Sequence, residues 1–182
     1  MHNFDARVLE QLLGAVGAHL DAAGTSVSVV IVGGAALALR GWVPRSTHDV
    51  DVLALASGVG GTQVLIPPVF PEELLDAVAR VARDFDLSQD WFNAQVGAQW
   101  QTGLPENADQ DLRWLRFGGL RVGLAGRHTL IALKLHTAAD SDPASKHTQD
   151  LLALDPTDQE LEAARAWVVG QDTLEELPRI VR

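Results

Sequence analysis

The sequence predicts a mixed α/β half followed by a helical tail. Three observations carry that expectation. A short β-branched run stops at a glycine pair and gives way to helix formers, and an alternating polar and apolar run follows soon after. In the last third of the chain, stretches of helical spacing are set apart by Asp-Pro pairs.

The elements follow in chain order. Residues 6–23 set Val8, Leu12, Val16 and Leu20 at helical spacing, with Leu9 and Leu13 beside them, and Gly24 ends the run. Val27 to Val32 reads as a buried strand, broken by Gly33-Gly34 before the helix-prone Ala35-Ala36-Leu37-Ala38-Leu39. After Pro44-Arg45-Ser46-Thr47, residues 48–53 alternate as a half-buried strand does, and residues 57–61 form a turn. Residues 71–83 are helical, with Leu74, Leu75, Val78 and Val81 on the apolar stripe. The Trp- and Gln-rich stretch 90–103 fits only irregular structure or short helix. Residues 112–117 and 120–124, joined by Gly118-Gly119, form a β-hairpin. Helices are expected at 127–139, 144–154, 157–169 and 173–177, bounded by Asp142-Pro143, Asp155-Pro156, Gly170 and Pro178. The expected organisation is a single domain over 1–182, with a core at about 27–139 and a helical region at about 143–182.

Composition narrows the function classes. Hydrophobic residues make up 47% of the 182, as in a folded globular protein. The absence of cysteine excludes disulfides, thiolate zinc sites and cysteine nucleophiles. No basic-then-apolar leader opens the chain and no apolar run reaches membrane length, so a soluble, cytoplasmic protein with no membrane partner is expected. A net charge of −10 argues against generic nucleic-acid binding. Yet residues 112–139 contain no acid, and Arg113, Arg116, Arg121, Arg127 and Lys134 fall there with His128 and His136. That stretch is either a face for phosphates or a set of solvated arginines guarding a sheet edge. His128, His136 and His147 are too scattered for a metal site and are expected to face solvent, and the five tryptophans to anchor core or interface.

The chemistry concentrates between Gly33 and Asp51. On a strand Asp49 and Asp51 project to one side while Val50 and Val52 face the core, so two carboxylates aim at one point and call for a cation or donors. Magnesium takes one or two carboxylates and fills its shell with water and phosphate oxygens. The glycine pair before a helix offers bare amides and a helix N-terminus to a phosphate. Each motif alone also has an ordinary reading, the first as a surface strand end and the second as a plain turn.

The run Ile31-Val32-Gly33-Gly34-Ala35-Ala36-Leu37-Ala38-Leu39-Arg40-Gly41, with Arg45-Ser46-Thr47-His48-Asp49-Val50-Asp51-Val52-Leu53, resembles the AbiEii-like and minimal nucleotidyltransferases of the DNA polymerase β-like superfamily. The resemblance continues in Leu130-Ile131-Ala132-Leu133-Lys134-Leu135 and Lys146-His147-Thr148-Gln149-Asp150-Leu151. It implies an α/β nucleotidyltransferase-like fold, a short mixed sheet flanked by helices with a helical C-terminal region. It also implies a metal, Mg2+ or Mn2+, on Asp49 and Asp51, and a nucleoside triphosphate as donor. Lys134 would contact the triphosphate with Asp150 fixing or activating it, Lys146, which opens the later Lys-Asp segment, would help to bind the nucleotide, and Arg45 and Thr47 would hold the approach loop or bind phosphate. Lys134 could equally reach out from an apolar helix face, and Thr47 could cap the strand. The acceptor would be an RNA such as a transfer RNA, or a protein, and a toxin of this class would have a cognate antitoxin. Two departures stand out. Gly34-Ala35 replaces the usual Gly-Ser, and the third carboxylate is in no clear motif, with Asp111 the candidate and Asp109 and Asp90 its competitors. The alternatives are an idle domain of this fold that binds a nucleotide or partner protein, and a nucleotidyltransferase acting on small molecules of the aminoglycoside type.

Overall fold

A computed structural model describes residues 3–57, 63–65, 68–99, 104–139, 142 and 144–171, with only the backbone given at 63–65, 98 and 99. The chain divides into two compact units: Met1–Gln101 with Leu112–Ala125, and Thr102–Asp111 with Gly126–Arg182.

The first unit holds α1 (Ala6–Ala22), β1 (Val27–Val32), α2 (Gly33–Arg40), β2 (Val50–Ser57), β3 (Gln63–Leu65), α3 (Glu72–Asp84), β4 (Phe92–Asn93), α4 (Gln95–Gln99), β5 (Arg113–Phe117) and β6 (Leu120–Leu124). The sheet is mixed, in the order β3-β2-β1-β6-β5, with β4 added beside β2. β1 runs antiparallel to β2 and parallel to β6. Its central place explains its composition: every residue but Ser28 is buried, so an unbroken aliphatic run suits it better than alternation. α1 starts where the Asp5 side chain accepts a hydrogen bond from the amide of Val8 at 2.8 Å. It buries Leu9, Leu12, Leu13, Val16 and Leu20 and packs against β5, β6, α2 and α3.

β2 lies later than the alternation suggests, at Val50–Ser57. His48 and Asp49 precede it because its ladder with β1 stops at the pair Val32–Asp51, where β1 turns into α2. At the other end Leu53-Ala54-Leu55-Ala56 prolongs it, with Ala54 to Ala56 paired to β1 and Leu55 to Ser57 paired to β3, and a run so apolar carries no alternation to read. The unassigned stretch contains β4, which pairs with β2 in parallel, and α4. Trp91 fixes that region. It is 1% exposed, its indole Nε1 donates to the Val78 carbonyl at 3.3 Å, and its ring meets Phe4 edge-on at 6.2 Å. Its own carbonyl accepts from the Val50 amide at 2.6 Å and so starts the β2–β4 pairing. The β5–β6 hairpin forms as expected around Gly118, whose φ of +56° is a left-handed value that suits glycine.

The second unit holds α5 (Arg127–Ala139), α6 (Lys146–Leu154) and α7 (Asp158–Gln171), with α5 packed on both others. α6 begins two residues later than expected because the Ser145 hydroxyl caps it, accepting from the Thr148 amide. α7 starts with a capping box: the Glu160 carboxylate accepts from the Thr157 amide at 2.9 Å, and the Thr157 hydroxyl accepts from the Glu160 amide at 3.3 Å. α7 runs through Gly170, which was expected to end it; a helical glycine costs only about 1 kcal/mol. The helix expected at 173–177 lies outside the described residues. Among the described residues no helix is long and apolar enough to cross a membrane.

Arg127 ties the three helices together. Its Nε and Nη2 grip both oxygens of Glu160, at 2.7 and 3.2 Å, while Nη2 also donates to the carbonyls of Leu154 and Asp155 where α6 ends. That guanidinium, with the Thr157 hydrogen bonds behind it, holds the Glu160 carboxyl at a pKa of about 2 against an ordinary 4.5. A carboxyl lowered in this way stabilises the fold above its unfolded pKa, and the gain is lost as pH falls through the folded value. The stability difference between the parent and Glu160→Gln should therefore be constant above about pH 5 and shrink steadily from about 4.5 towards 2. Thermal melts of both proteins across that range measure it, and a difference independent of pH would refute the linkage.

Candidate active site

The turn from β1 into α2 sets the geometry. Gly33 has φ +68°, a left-handed conformation, and a Cβ there would lie 2.5 Å from Oδ2 of Asp51. A Cβ on Gly34 would lie 2.7 Å from the Thr47 hydroxyl and 3.6 Å from a guanidinium nitrogen of Arg45. The Thr47 hydroxyl in turn donates to Oδ1 of Asp49 at 3.1 Å. The two glycines, Arg45, Thr47, Asp49 and Asp51 thus gather at the N-terminus of α2. Asp49 and Asp51 are half-buried while Val50 and Val52 are fully buried, so the expected alternation holds although Asp49 stands just outside the strand. Thr47 is itself fixed: it is buried, and its backbone exchanges hydrogen bonds with Phe4 at 2.7 and 3.0 Å. Acidic side chains beside a helix N-terminus also complement the helix dipole, so this arrangement serves the fold as well as any ligand.

The two carboxylates fit a hard divalent cation, which needs one or two such ligands and takes water or phosphate oxygens for the rest. Among the described residues no group of three or more His, Asp or Glu is disposed to hold a metal. Of the three candidate third acids, Asp90 lines a cavity of about 510 Å³ together with His48 and Asp49, and its carboxylate accepts from the Ser88 hydroxyl. Asp109 and Asp111 belong to the second unit. There Asp111 lies against Gly126, the residue before α5, where a carboxylate complements that helix's N-terminus. Asn93 is a residue the sequence reading missed. It pairs with Asp51 across the β2–β4 ladder, and its amide bridges the Gln95 amide, at 3.1 Å, and the Asp90 carbonyl, at 3.3 Å. The available signal was a polar residue closing Asp90-Trp91-Phe92-Asn93, but β4 is too short to show a period. A carboxamide orients neighbours but takes no proton.

Lys134 and Asp150 meet within the second unit. Lys134 is 6% exposed, Asp150 is 0% exposed, and Nζ stands 2.6 Å from Oδ2. The pair joins α5 to α6, whereas Lys146 is exposed on the first turn of α6. The acid-free stretch is partly neutralised in this way, since Arg127 and Lys134 both pair with acids from later helices. On the hairpin Arg116 and Arg121 are direct cross-strand partners and share a face, with Arg121 stacked on Trp114 at 4.5 Å. Arg40 donates to the Leu124 carbonyl at 2.9 Å and stacks on Trp42. His128, His136 and His147, expected to face solvent, are half-buried, and His136 packs on Trp167.

Residues 9–153 match the model of a family described as "Nucleotidyltransferase of unknown function (DUF6036)". No curated protein matches the chain. An antigenic nucleotidyltransferase-like protein from Paracoccidioides brasiliensis, known from a crystal structure, is similar at 17% identity over 99% of this chain and 94% of its own, with a TM-score of 0.48.

The buried pair carries a stability prediction. Removing one partner leaves an uncompensated buried charge, so Lys134→Ala should cost about 3–5 kcal/mol. Replacing both with apolar residues, Lys134→Met with Asp150→Leu, should cost much less. Urea unfolding of the three proteins decides this, and a single substitution as mild as the double one would contradict it.

Proposed function

Since the chain belongs to the DUF6036 family of nucleotidyltransferases, we propose that it is a magnesium-dependent enzyme moving a nucleotidyl group from a nucleoside triphosphate to an RNA or protein acceptor. The supporting observation is the gathering of Asp49, Asp51, Thr47 and Arg45 around the glycine pair that opens α2. Asp49 and Asp51 would hold the magnesium ion, which when bound neutralises phosphate charge and orients the attacking and leaving oxygens. Amides at the N-terminus of α2 offer donors to a phosphate, and Arg45 adds a fixed positive charge beside them. Thr47 keeps the Asp49 carboxylate in place through its hydroxyl. Asp90 is the third acid in this reading, because it lines the same cavity as Asp49. Lys134 acts as a positioning residue that holds α6 through Asp150, since its ammonium is already paired and buried.

For an RNA acceptor, the Arg116–Arg121 pair is the surface favoured by charge. Like charges directly opposite each other on neighbouring strands are unfavourable, and a bound phosphate relieves them. The closer kinship with AbiEii-like and minimal nucleotidyltransferases, action as a toxin on transfer RNA, a cognate antitoxin and a cytoplasmic location rest on the resemblance and composition alone. One observation favours a second reading, an idle domain that binds nucleotide or a partner protein. Asp51 is flanked across the sheet by an asparagine, Asn93.

Incubation with each labelled nucleoside triphosphate, magnesium and total RNA should put label on RNA or on protein, and label on neither would leave the idle domain. Magnesium with nucleotide at a hundred times its dissociation constant should stabilise the parent by about 2.7 kcal/mol, a shift that Asp51→Asn should lose. An equal shift in the variant would remove Asp51 from the metal site. Replacing Arg116 and Arg121 with glutamate should reduce transfer to RNA while nucleotide binding persists, and parent binding to RNA should weaken steeply with salt. Transfer indifferent to both would exclude this face.

A further inference from the structure

The second unit contains a cavity of about 670 Å³, within the range of small-molecule sites, whose described lining residues all belong to that unit. Glu106, Asp111, His128, Thr129, Ala163 and Trp167 line it. Its charge is one-sided: two carboxylates face it and, among the described residues, no lysine or arginine does. Its apolar wall is the indole of Trp167, one turn beyond Ala163 on α7, and the small side chains of Ala163 and Ala166 leave the space beside that ring open. The second mark of a ligand site is Thr129. It is 2% exposed and lines the cavity, yet among the described residues its hydroxyl has no hydrogen-bond partner, whereas Thr137, further along α5, donates to the Leu133 carbonyl. The hydroxyl is therefore open to a ligand in the cavity while the rest of the side chain is held in place by its burial.

We propose that this cavity binds a small organic cation, an amine or amidine on a flat or apolar frame, with its charge on Glu106 and Asp111, its face on Trp167 and a polar atom on Thr129. Carboxylates supply the Coulombic attraction and the indole face adds cation–π attraction, a combination that selects cations over neutral molecules of the same shape. Anions, nucleotides included, are disfavoured there.

Benzamidine serves as the probe, and benzamide as its uncharged isostere. The full chain, labelled with nitrogen-15, is titrated with each while the tryptophan indole NH signals are followed by NMR, with Trp167 assigned through Trp167→Phe. The Trp167 signal should shift saturably with benzamidine, at least tenfold less tightly with benzamide, and at least tenfold less tightly with benzamidine in Glu106→Gln. Glu106 is exposed, so its substitution leaves the fold intact, and Thr129→Val gives a second, nearly isosteric variant with the same expected direction. Equal binding of the two probes would overturn the cationic class. An unmoved Trp167 signal, or a shift that both variants keep, would overturn the site.

Discussion

The approach of the Asp51 carboxylate to the bare α-carbon of Gly33 governs the layout of the first unit. It requires a residue without a side chain in a left-handed conformation, which is where β1 gives way to α2. That turn ends the β1–β2 ladder at Val32 and Asp51, so Asp49 falls just beyond the strand, within reach of Thr47. Thr47 fills the space over Gly34 and is anchored to Phe4, whose ring leans on Trp91. Trp91 in turn receives the amide of Val50 and sets β4 beside Asp51. Two carboxylates that would repel are held by a chain of contacts that ends in the hydrophobic core. The positive end of α2 beside them offsets part of that repulsion.

The strongly periodic parts of this fold are legible in the sequence. α1, α3 and the β5–β6 hairpin stand close to where their apolar spacing and glycines put them, and α1 and α3 each bury one face against a neighbour. The burial of Val50 and Val52 between half-buried Asp49 and Asp51 is what the parity of an extended segment predicts. What could not be read depends on partners distant in sequence. Two-residue β4 exists because Val50 and Asp51 offer it an edge, and the far end of β2 continues as a strand because Leu55 and Ala56 lie between β1 and β3. The roles of single cations were hidden for the same reason. A stretch without acids looks like a positive face until Glu160 and Asp150 arrive from later helices to pair with Arg127 and Lys134.

The second unit shows how three modest helices are joined into one body. α5 buries every residue from Thr129 to Lys134, whereas α6 buries only Asp150 and Leu154 and α7 only Ala164 and Val168. To the apolar core around Leu130, Ile131, Ala164 and Val168 are added polar groups with few substitutes: a guanidinium shared between one carboxylate and two helix-end carbonyls, and a buried ammonium on a buried carboxylate. Such contacts are directional, so they fix which helix meets which more sharply than they add stability. Family membership covers this region as far as residue 153, including both members of the buried pair.

The central strand also constrains how the chain is made. β1 is almost wholly apolar and takes β2 as one neighbour and β6 as the other, yet β6 is the last strand of the sheet to leave the ribosome. While α2 through β5 are being synthesised, one edge of β1 has no partner, and an unpaired hydrophobic edge can join another nascent chain. The β1–β6 pairing also closes a long loop, and such non-local parallel contacts form slowly. The order of strands therefore makes the interval between the synthesis of β1 and that of β6 the period of greatest exposure to misassembly. A pause in translation within it would bear on yield more than one of equal length after β6.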